Sequence, residues 1–496
     1  MVLLGYDIGS SSIKAAFVNA ETGATIAVAQ SPATEMSIAA PQPGWAEQDP
    51  EIWWEHVCLA TRKLLADQPI SPEEIKGIGI SYQMHGLVVV DENQQALRPA
   101  IIWCDSRSVE IGSRAFEEIG QEKCLSTLLN SPGNFTASKL KWVKDNEPEI
   151  YRRIHKIMLP GDYIAMRLTG RAVTSPSGLS EGIFWDFAKN EISETVMDYF
   201  GFDEKLIPEI APIFSIQGKL TAAAADATGL SIGTPVAYRA GDQPNNALSL
   251  NVLQPGEIAA TGGTSGVIYS VMGHPAFDPQ SRVNSFAHVN HEKENPRIGV
   301  LLCINGAGIQ YNWVRQYMAE SGISYPTMER IAAEVPIGSD GLRILPFGNG
   351  AERMLGNRNP GAHVANLQFN RHTNAHFFRA ALEGIAFSFV HGVSILKEMG
   401  VSLSIMRVGN DNLFQSGVFS NCISTLLDCT IEVVETTGAV GAAKAAGVAT
   451  GIYPTIDEAM KNTQVLRTYQ PQSEVDAYEA AFNIWEKDLN KILSGE

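Results

Sequence analysis

A turn near the start of the chain combines residue types that can hold the phosphates of a nucleotide. After the apolar run at residues 2–6 come an acid, a glycine, hydroxyls and a lysine: Asp7, Gly9, Ser10, Ser11 and Lys14. Glycine lets backbone N–H groups approach phosphate oxygens, hydroxyls add donors, and a lysine adds positive charge. A carboxylate here could also hold hydrated Mg²⁺. Most Gly-Ser turns only reverse the chain, so this turn taken alone favours the structural interpretation.

A second turn of the same kind lies near the middle of the chain. Gly263, Thr264 and Ser265 stand between two strand-like runs, at residues 257–261 and 267–271. Two such turns from two similar halves can face each other and hold one triphosphate from both sides. A matched pair is harder to explain as chance, and it predicts that both turns bind phosphate.

Between the two turns, an apolar run ends in Gly241 and Asp242. A carboxylate at this point is suited to be the general base of a phosphoryl transfer, in which one acid must accept the proton of the attacking hydroxyl. The alternative is that Asp242 is the N-cap of a helix over residues 245–253, which the sequence also fits. The two roles are compatible, and both stay open at this point.

The elements that carry these turns alternate between strand and helix patterns. The chain opens with strand-like runs at residues 2–6, 13–18 and 25–30, and helical patterns alternate with further strands after them. This alternation indicates an α/β layer architecture. The strand–turn–strand opening returns in the second half, so we predict an ancient duplication that crosses over at residues 235–253.

Length and composition limit the classes of protein to which the chain can belong. Its 496 residues are enough for two hydrophobic cores with a ligand cleft between them. Hydrophobic residues make up 45% and charged residues 18%, which is typical of a compact globular protein. The formal net charge of −17 argues against binding to nucleic acid or to an anionic membrane, because both require clustered Lys and Arg.

Cysteine usage and the opening residues point to a location inside the cell. The six cysteines show no CxxC pair and no short spacing with histidine, so we expect reduced thiols rather than a zinc site. The chain opens without a basic leader or cleavage site, and no uninterrupted apolar run reaches membrane-spanning length. These observations predict a cytoplasmic protein, and they leave room for a homodimer.

Several short motifs follow one another along the chain. They are DIG at 7–9 with Lys14, GWAEQDP at 44–50 with Trp53 and Trp54, QMHG at 83–86, LP at 159–160 with Asp162 and Tyr163, Gly241 with Asp242, GGTSG at 262–266 and LEG at 382–384. In this order and spacing they resemble the FGGY carbohydrate kinases over nearly the whole chain. Within that family, the QMHG and GWAEQDP stretches look more like xylulokinases than glycerol kinases or ribulokinases.

The resemblance implies an α/β fold of two actin-like, ribonuclease-H-like ATPase domains, with ATP and a sugar in the cleft between them. On this basis we expect a sugar-binding N-terminal domain at residues 1–250 and a nucleotide-binding C-terminal domain at residues 251–496.

The resemblance also implies roles for individual residues. Asp242 matches the catalytic base, which takes the proton of the sugar's terminal hydroxyl, and Asp7 matches the acid that organises Mg²⁺. Met84 and His85 match the sugar-site motif, and Asp105 lies where the family often places another polar sugar contact. An Asp–Arg pair that fixes a loop is an equally weighted alternative for Asp105. The family's phosphate-binding turns match Gly9, Ser10, Ser11, Lys14, Gly263, Thr264 and Ser265.

The sequence departs from the family pattern at two places. Where relatives carry a triple-glycine stretch near the adenine, only Gly409 remains, and Asn410, Asp411 and Asn412 follow it. Asn410 and Asp411 tolerate left-handed backbone, so the turn can still form, and we expect Gly409 and Asn410 to contact ATP. Residues 175–178 stand where relatives often have acidic residues and alanine, which predicts an altered cleft wall.

Together these observations predict an ATP-dependent, Mg²⁺-requiring kinase of a small ketose, with D-xylulose the leading candidate. A kinase for ribulose, ribitol, gluconate or glycerol is the nearest alternative, because pocket contacts lie on loops that one sequence cannot place. A non-catalytic sugar sensor of the same fold is a second alternative. A chaperone-like or filament-forming ATPase of the same superfold is a third.

Overall fold

The computed structural model describes residues 1–410 and 412–495, and its core consists of two twisted sheets. Six strands form the first sheet: β1 (Val2–Ile8), β2 (Ile13–Asn19), β3 (Thr25–Ser31), β4 (Ile75–Tyr82), β5 (Gly218–Lys219) and β6 (Pro235–Gly241). Their spatial order is β5-β6-β4-β1-β2-β3. β1 runs antiparallel to β2 and parallel to β4, and β4 runs parallel to β6. β1 and β4 are buried almost throughout, as expected of central strands covered on both faces.

Seven strands form the second sheet: β7 (Glu257–Gly262), β8 (Gly266–Met272), β9 (Asn284–Ala287), β10 (Ile298–Ile304), β11 (Ile405–Gly409), β12 (Ile431–Glu435) and β13 (Gln464–Tyr469). Their spatial order is β9-β10-β8-β7-β11-β12-β13. The segment β10-β8-β7-β11-β12 repeats the arrangement β3-β2-β1-β4-β6 of the first sheet: an antiparallel meander, then two strands parallel to the first one. This shared order agrees with the predicted duplication.

Helices surround both sheets. They are α1 (Pro50–Asp67), α2 (Val109–Ile119), α3 (Gln121–Leu128), α4 (Thr136–Asn146), α5 (Pro148–Tyr151), α6 (Pro160–Thr169), α7 (Pro176–Glu181), α8 (Glu194–Phe200), α9 (Ala222–Thr228), α10 (Asp242–Ser249), α11 (Ala307–Tyr317), α12 (Tyr325–Ala333), α13 (Asn374–Glu398), α14 (Gly417–Leu427), α15 (Gly438–Ala449), α16 (Ile456–Met460) and α17 (Val475–Ser494). Short strand pairs join Glu47–Gln48 to Ala100–Ile101, Val88–Val90 to Lys156–Met158, Val173–Thr174 to Glu209–Ile210, Trp185–Asp186 to Glu191–Ile192 and Arg343–Phe347 to Gly361–Ala365. Single 3₁₀ turns occur at Pro72–Glu74, Glu204–Leu206, Ser339–Gly341, Glu352–Leu355 and Asn412–Gln415.

Helix α13 is, within the described ranges, the one helix long and apolar enough to cross a membrane by length and composition. Its apolar window is 83% buried inside the protein. It packs against α11, α12, α14 and α17, as the central helix of a globular core does.

Helix α15 comes late in the sequence but packs on the first sheet, where it contacts β1, β4 and β6. Two glycines allow this contact. A Cβ added at Gly5 would lie 1.8 Å from the carbonyl oxygen of Ala439, and one at Gly79 would lie 1.9 Å from that of Ala442. The helix backbone therefore lies directly on the strands, and a division at residue 250 separates the two sheets but not their helices.

The outer edge of β9 is covered by side chains from the first half of the chain. Asn130 donates to the carbonyl of Ser285 and accepts from its N–H group. Ser177 donates to the carbonyl of Ala287 at 2.9 Å, and Ser180 accepts from the Ala287 N–H group at 2.9 Å. These bonds satisfy an edge that would otherwise present unpaired backbone groups.

The helix that follows β6 begins earlier than its sequence pattern predicts. It starts at Asp242 rather than at residue 245, and the N-cap position is taken by Gly241, whose ψ angle is 155°. The prediction of an N-cap role for Asp242 is therefore wrong. Asp242 is instead the first helical residue, where a negative charge is favourable to the helix dipole.

Candidate active site

Three parallel strands of the first sheet end at the same edge, and each leads into a predicted site residue. β1, β4 and β6 end level with one another because Tyr82 pairs with both Ile8 and Gly241. Ligands of open α/β sheets bind at the carboxyl ends of the strands. The topology thus brings Asp7, the QMHG stretch and Asp242 to one edge.

Asp242 is surrounded by protein but keeps partial access to solvent. Burial, and then the negative charge of Asp7, raise the pKa of Asp242 to about 7, while the backbone N–H of Gln243 opposes the rise. A carboxyl group with a pKa near neutrality is suited to general base catalysis, because it both holds and releases a proton at working pH.

Asp7 lies against the beginning of α15. A Cβ added at Gly438 would lie 2.9 Å from Asp7 Oδ2. Burial raises the pKa of Asp7, and Lys14, which pairs with it across the β1–β2 hairpin, opposes that rise together with Ser81. Residues 1–410 and 412–495 contain no group of three or more His, Cys, Asp or Glu able to hold a metal. A lone carboxylate nevertheless fits Mg²⁺, which usually takes one or two carboxylates and completes its shell with water and phosphate oxygens.

The first predicted phosphate turn is tight and well anchored. The N–H of Gly9 donates to the carbonyl of Ser12 at 3.1 Å. Trp103 Nε1 donates to Ser10 Oγ at 3.2 Å, and the side chain of Gln48 donates to the Ser10 carbonyl at 2.7 Å. The hydroxyl of Ser10 keeps its own hydrogen available for another acceptor.

The second turn joins β7 to β8 and rests on the beginning of α11. The carbonyls of Gly263 and Thr264 accept from the N–H groups of Gly308 and Ile309, at 3.0 and 3.1 Å. Thr264 itself is exposed, and Gly263 and Ser265 are partly exposed. The tip of this turn is thus accessible to solvent, while hydrogen bonds from the beginning of α11 hold its backbone.

Helix α10 connects the edge of the first sheet where Asp7 and Asp242 lie to the strand that leads into the second turn. Asn245 Nδ2 donates to the carbonyl of Gly438 at 2.9 Å, and Asn246 Nδ2 donates to Thr261 Oγ1 at 3.3 Å. On the second sheet, burial and then the charges of Glu352 and Asp242 raise the pKa of Cys303. Asp242 therefore faces groups from both halves, as a residue of a cleft between them does.

His85 is held in one tautomer. Its Nδ1 lies 3.1 Å from the carbonyl oxygen of Glu181, and because a carbonyl only accepts, Nδ1 carries the proton. Burial, and then the charge of Lys139, lower the pKa of His85 to about 3, so the ring is neutral. Nε2 is consequently a hydrogen-bond acceptor. The rings of Phe135 and Phe286 lie 4.7 and 5.2 Å from it and fix its orientation.

Lys139 is fully buried and hydrogen-bonds to the backbone of the QMHG stretch. Its Nζ donates to the carbonyls of His85 and Ile102, at 2.8 and 3.0 Å. Burial lowers the pKa of Lys139 to about 7, while the charge of Asp105 opposes the change. The lysine thus fixes the backbone of the sugar-site motif rather than contacting a ligand.

Asp105 does not take the position of a sugar contact. It is 0% exposed, and its carboxylate binds the guanidinium of Arg107 at 2.7 Å and the N–H of Ala46 at 2.6 Å. These are the contacts of the loop-fixing alternative. We therefore correct the prediction and leave Asp105 out of the candidate site, because its oxygens are already occupied inside the protein.

Gly409 ends β11, and Asn410 follows it at the edge of the second sheet. The N–H of Asn410 donates to the carbonyl of Val434 at 3.2 Å, and its side chain donates to Glu435 Oε2 at 3.2 Å. Asp411 lies outside the described residues. The proposed nucleotide contact of Gly409 and Asn410 stays a prediction.

Four polar side chains near the sheet edge where Asp7 and Asp242 lie were not predicted as site residues. Each has at least one buried oxygen or nitrogen without a hydrogen-bond partner in the described part of the chain: Ser81, Gln83, Glu181 and Asn245. Buried polar groups in proteins are almost always paired, so such a cluster indicates a place completed by ligand or water. Gln83 could have been found, since it belongs to the quoted motif. Glu181 gave no signal, because a lone acid at a helix end is ordinary.

Comparison with known proteins decides the family. The model described as "FGGY family of carbohydrate kinases, N-terminal domain" matches residues 2–249, and the one for the C-terminal domain matches residues 258–450. The chain belongs to the FGGY family of carbohydrate kinases. Its substrates are therefore ATP and a carbohydrate, and the prediction of two actin-like ATPase domains is confirmed.

Individual relatives resemble this FGGY kinase over nearly its whole length. A xylulose kinase of Bacillus subtilis (strain 168) is 28% identical, covering 99% of this chain and 98% of that protein. An L-xylulose/3-keto-L-gulonate kinase of Escherichia coli (strain K12) is 30% identical, covering 94% and 92%. A crystal structure described as a xyloylose kinase from Brucella ovis is 26% identical, covers 100% of both chains and superimposes with a TM-score of 0.89.

Proposed function

We propose that this FGGY kinase transfers the γ-phosphoryl group of ATP to D-xylulose, giving D-xylulose 5-phosphate. The observation that carries the proposal is the placement of Asp242. The negative charge of Asp7 acts on its carboxyl group, and Gly241, the residue before it, packs against Met84. The full-length similarity to the Bacillus subtilis xylulose kinase supports the choice of sugar.

In the proposed reaction Asp242 is the general base. It takes the proton of the terminal hydroxyl as that oxygen forms a bond to the γ-phosphorus, while the bond from phosphorus to the bridging oxygen of ADP breaks. The two turns hold the phosphates from opposite halves through backbone N–H groups and hydroxyls. The residues of these turns are Gly9, Ser10, Ser11, Lys14, Gly263, Thr264 and Ser265.

Met84 and His85 form the sugar side of the proposed site. Because Nε2 of the neutral His85 is an acceptor, it receives a hydrogen bond from a sugar hydroxyl rather than donating one to the keto oxygen. Met84, which is 4% exposed, supplies an apolar wall against the carbon chain.

Asp7 is the residue proposed to hold Mg²⁺, together with phosphate oxygens of ATP. A bound Mg²⁺ would neutralise charge that develops on the phosphates during transfer. Gly409 and Asn410 are proposed to lie beside the nucleotide, with residues 1–250 as the sugar-binding domain and 251–496 as the nucleotide-binding domain. We also propose a cytoplasmic enzyme, either a monomer or a homodimer, without nucleic-acid or membrane partners.

A second candidate is a kinase of another ketose or sugar acid. It is favoured by the 30% identity to the Escherichia coli kinase named for L-xylulose and 3-keto-L-gulonate. ADP release measured with D-xylulose, L-xylulose, D-ribulose, gluconate and glycerol separates the two candidates, because a xylulokinase has its highest kcat/KM on D-xylulose. If none of these sugars leads to ADP release, the alternative of a non-catalytic sugar sensor with the same fold is favoured.

The role of Asp242 is tested by Asp242→Asn, which keeps the size of the side chain but cannot accept the proton. We expect kcat to fall by roughly 10²- to 10⁴-fold, with sugar binding by calorimetry retained. Asp203→Asn is the matched control, because Asp203 also stands at the start of a helical turn, where it accepts from Lys205 at 2.9 Å, but is exposed. Ketose-dependent turnover of Asp242→Asn near the wild-type rate would remove Asp242 from its role.

A further inference from the structure

Glu181 is a buried acid that the proposed reaction does not use. It is the last residue of α7 and is 1% exposed. Neither of its carboxylate oxygens has a hydrogen-bond partner among residues 1–410 and 412–495. Leaving a buried polar group without a partner destabilises a folded protein, so this arrangement calls for a compensating role.

The carboxyl group of Glu181 lies against Gly241, where Met84 also packs. A Cβ added at Gly241 would lie 2.4 Å from Glu181 Oε2 and 2.6 Å from Met84 Cγ. The acid therefore touches the residue that directly precedes Asp242, and Met84 packs at the same point. Its backbone carbonyl also accepts the hydrogen bond that fixes the tautomer of His85.

The surroundings of Glu181 disfavour its ionised form. Burial, and then the negative charges of Asp242 and Asp162, raise the pKa of Glu181 well above its usual range. The phenol of Tyr82 and the N–H of His85 oppose this rise, but neither meets the carboxyl group with hydrogen-bonding geometry. The titratable and charged groups around it are Tyr82 on β4, His85 after β4, Asp162 on α6, Arg239 on β6 (which pairs with Asp162), Asp242 on α10 and Tyr269 on β8.

We propose that Glu181 is a positioning residue of the sugar site. It stays protonated, packs against Gly241 at the point where Met84 also packs, and spares Asp242 a second negative charge beside it. The inference rests on the proposed function, because it acts through the base and the sugar-binding methionine. Two carboxylates in one poorly solvated site cannot both ionise easily, so the neutral acid leaves Asp242 free to be the anion.

Two substitutions separate shape from charge. Glu181→Gln keeps the shape and the neutral state, so we expect kcat and both KM values within about 3-fold of wild type. Glu181→Ala removes the side chain that packs against Gly241 where Met84 also packs, so we expect the KM for the ketose to rise roughly 10-fold while the KM for ATP is unchanged, about 1.4 kcal/mol of lost sugar binding.

The pH dependence distinguishes a neutral acid from a merely structural side chain. In the wild type, ionisation of Glu181 at alkaline pH places a second charge beside Asp242, so kcat/KM for the ketose falls there. Glu181→Gln should lose this alkaline limb and keep the acid limb. The matched control is Glu383→Gln, since Glu383 is equally buried but is paired with Arg379 at 2.6 Å on α13, and its replacement should leave the alkaline limb in place.

A stability measurement tests the protonation state without turnover. An acid that is neutral in the folded protein and ionised in the unfolded chain loses its stabilising contribution as pH rises above the unfolded pKa of about 4.3. The melting temperature of Glu181→Gln minus that of wild type should therefore increase from pH 5 to pH 9. A difference that stays constant with pH would overturn the protonated state.

The kinetic outcomes are equally decisive. An unchanged ketose KM in Glu181→Ala, or a Gln variant as impaired as the Ala variant, contradicts the positioning role. Failure of the wild type to phosphorylate any ketose would instead reject the proposed function, and the melting comparison would still decide the state of Glu181.

Discussion

Gly79 is the position at which the close packing of α15 on the first sheet can be tested most directly. A Cβ at Gly79 would lie 1.9 Å from the carbonyl oxygen of Ala442 in the helix backbone. Ordinary van der Waals contact begins at 3.4 Å, so Gly79→Ala must push the helix away by about 1.5 Å. Overpacking of a core usually costs about 1–3 kcal/mol, and here backbone cannot rotate out of the way, so we expect about 3 kcal/mol or more.

Gly77 provides a control on the same strand, the same face and the same helix. Its added Cβ would lie 3.0 Å from Thr450 Cγ2, a side-chain atom that can move by a few tenths of an ångström. We expect Gly77→Ala to cost less than about 1 kcal/mol. For domains of this size, 1 kcal/mol corresponds to about 2 °C, so Gly79→Ala should lower the melting temperature by roughly 6 °C and Gly77→Ala by less than 2 °C.

The assay is thermal unfolding of both variants, followed by kinetics. Because α15 begins at Gly438, which lies against Asp7, Gly79→Ala should also raise the KM for ATP more than Gly77→Ala does. Equal melting temperatures in the two variants would refute the argument, since only the distance from added atom to helix backbone separates them.

Two further predictions concern buried charges. Arg239 and Asp162 pair at 2.7 Å, and both side chains are nearly inaccessible to solvent. Arg239→Met leaves the Asp162 charge buried and unpaired, so it should lower the free energy of unfolding in urea by about 3–5 kcal/mol, and adding Asp162→Leu should restore part of that loss. A double variant as unstable as the single one would contradict this. Burial lowers the pKa of Lys139 to about 7, whereas in the unfolded chain its pKa is 10.5. Between these two pH values the folded protein binds fewer protons than the unfolded chain, so its stability rises with pH. Melting curves of Lys139→Met should show a smaller rise over this window, and an undiminished rise would exclude Lys139 as its source.

The sheets were largely predictable because their signal is local. The continuous apolar run before Asp7 predicted a strand, and the repeated strand–turn–strand pattern predicted that both halves share a topology. The apolar run before Asp242 was recognised as well, but it was not assigned to a strand. The same runs end at Asp7 and Asp242, so these two could be named as candidate site residues before the fold was known. Local periodicity carries this information because it depends on residues close in sequence.

The features that sequence could not predict depend on contacts between distant residues. Nothing near Gly79 indicates that a helix more than 350 residues later will lie on it. The role of Asp105 was misjudged because both alternatives require the same residue types, and they differ only in whether Arg107 and Ala46 reach the carboxylate. Glu181 was missed for the same reason: its importance lies in what surrounds it.

The side chains that cover the edge of β9 make the two halves dependent on each other. Asn130, Ser177 and Ser180 reproduce the hydrogen bonds that a neighbouring strand would make. A C-terminal half produced alone would present a bare strand to any other chain, which is the usual starting point for aggregation. Exchanging halves between relatives therefore has to preserve this seam, and a C-terminal half cut free at the midpoint of the chain would lack it.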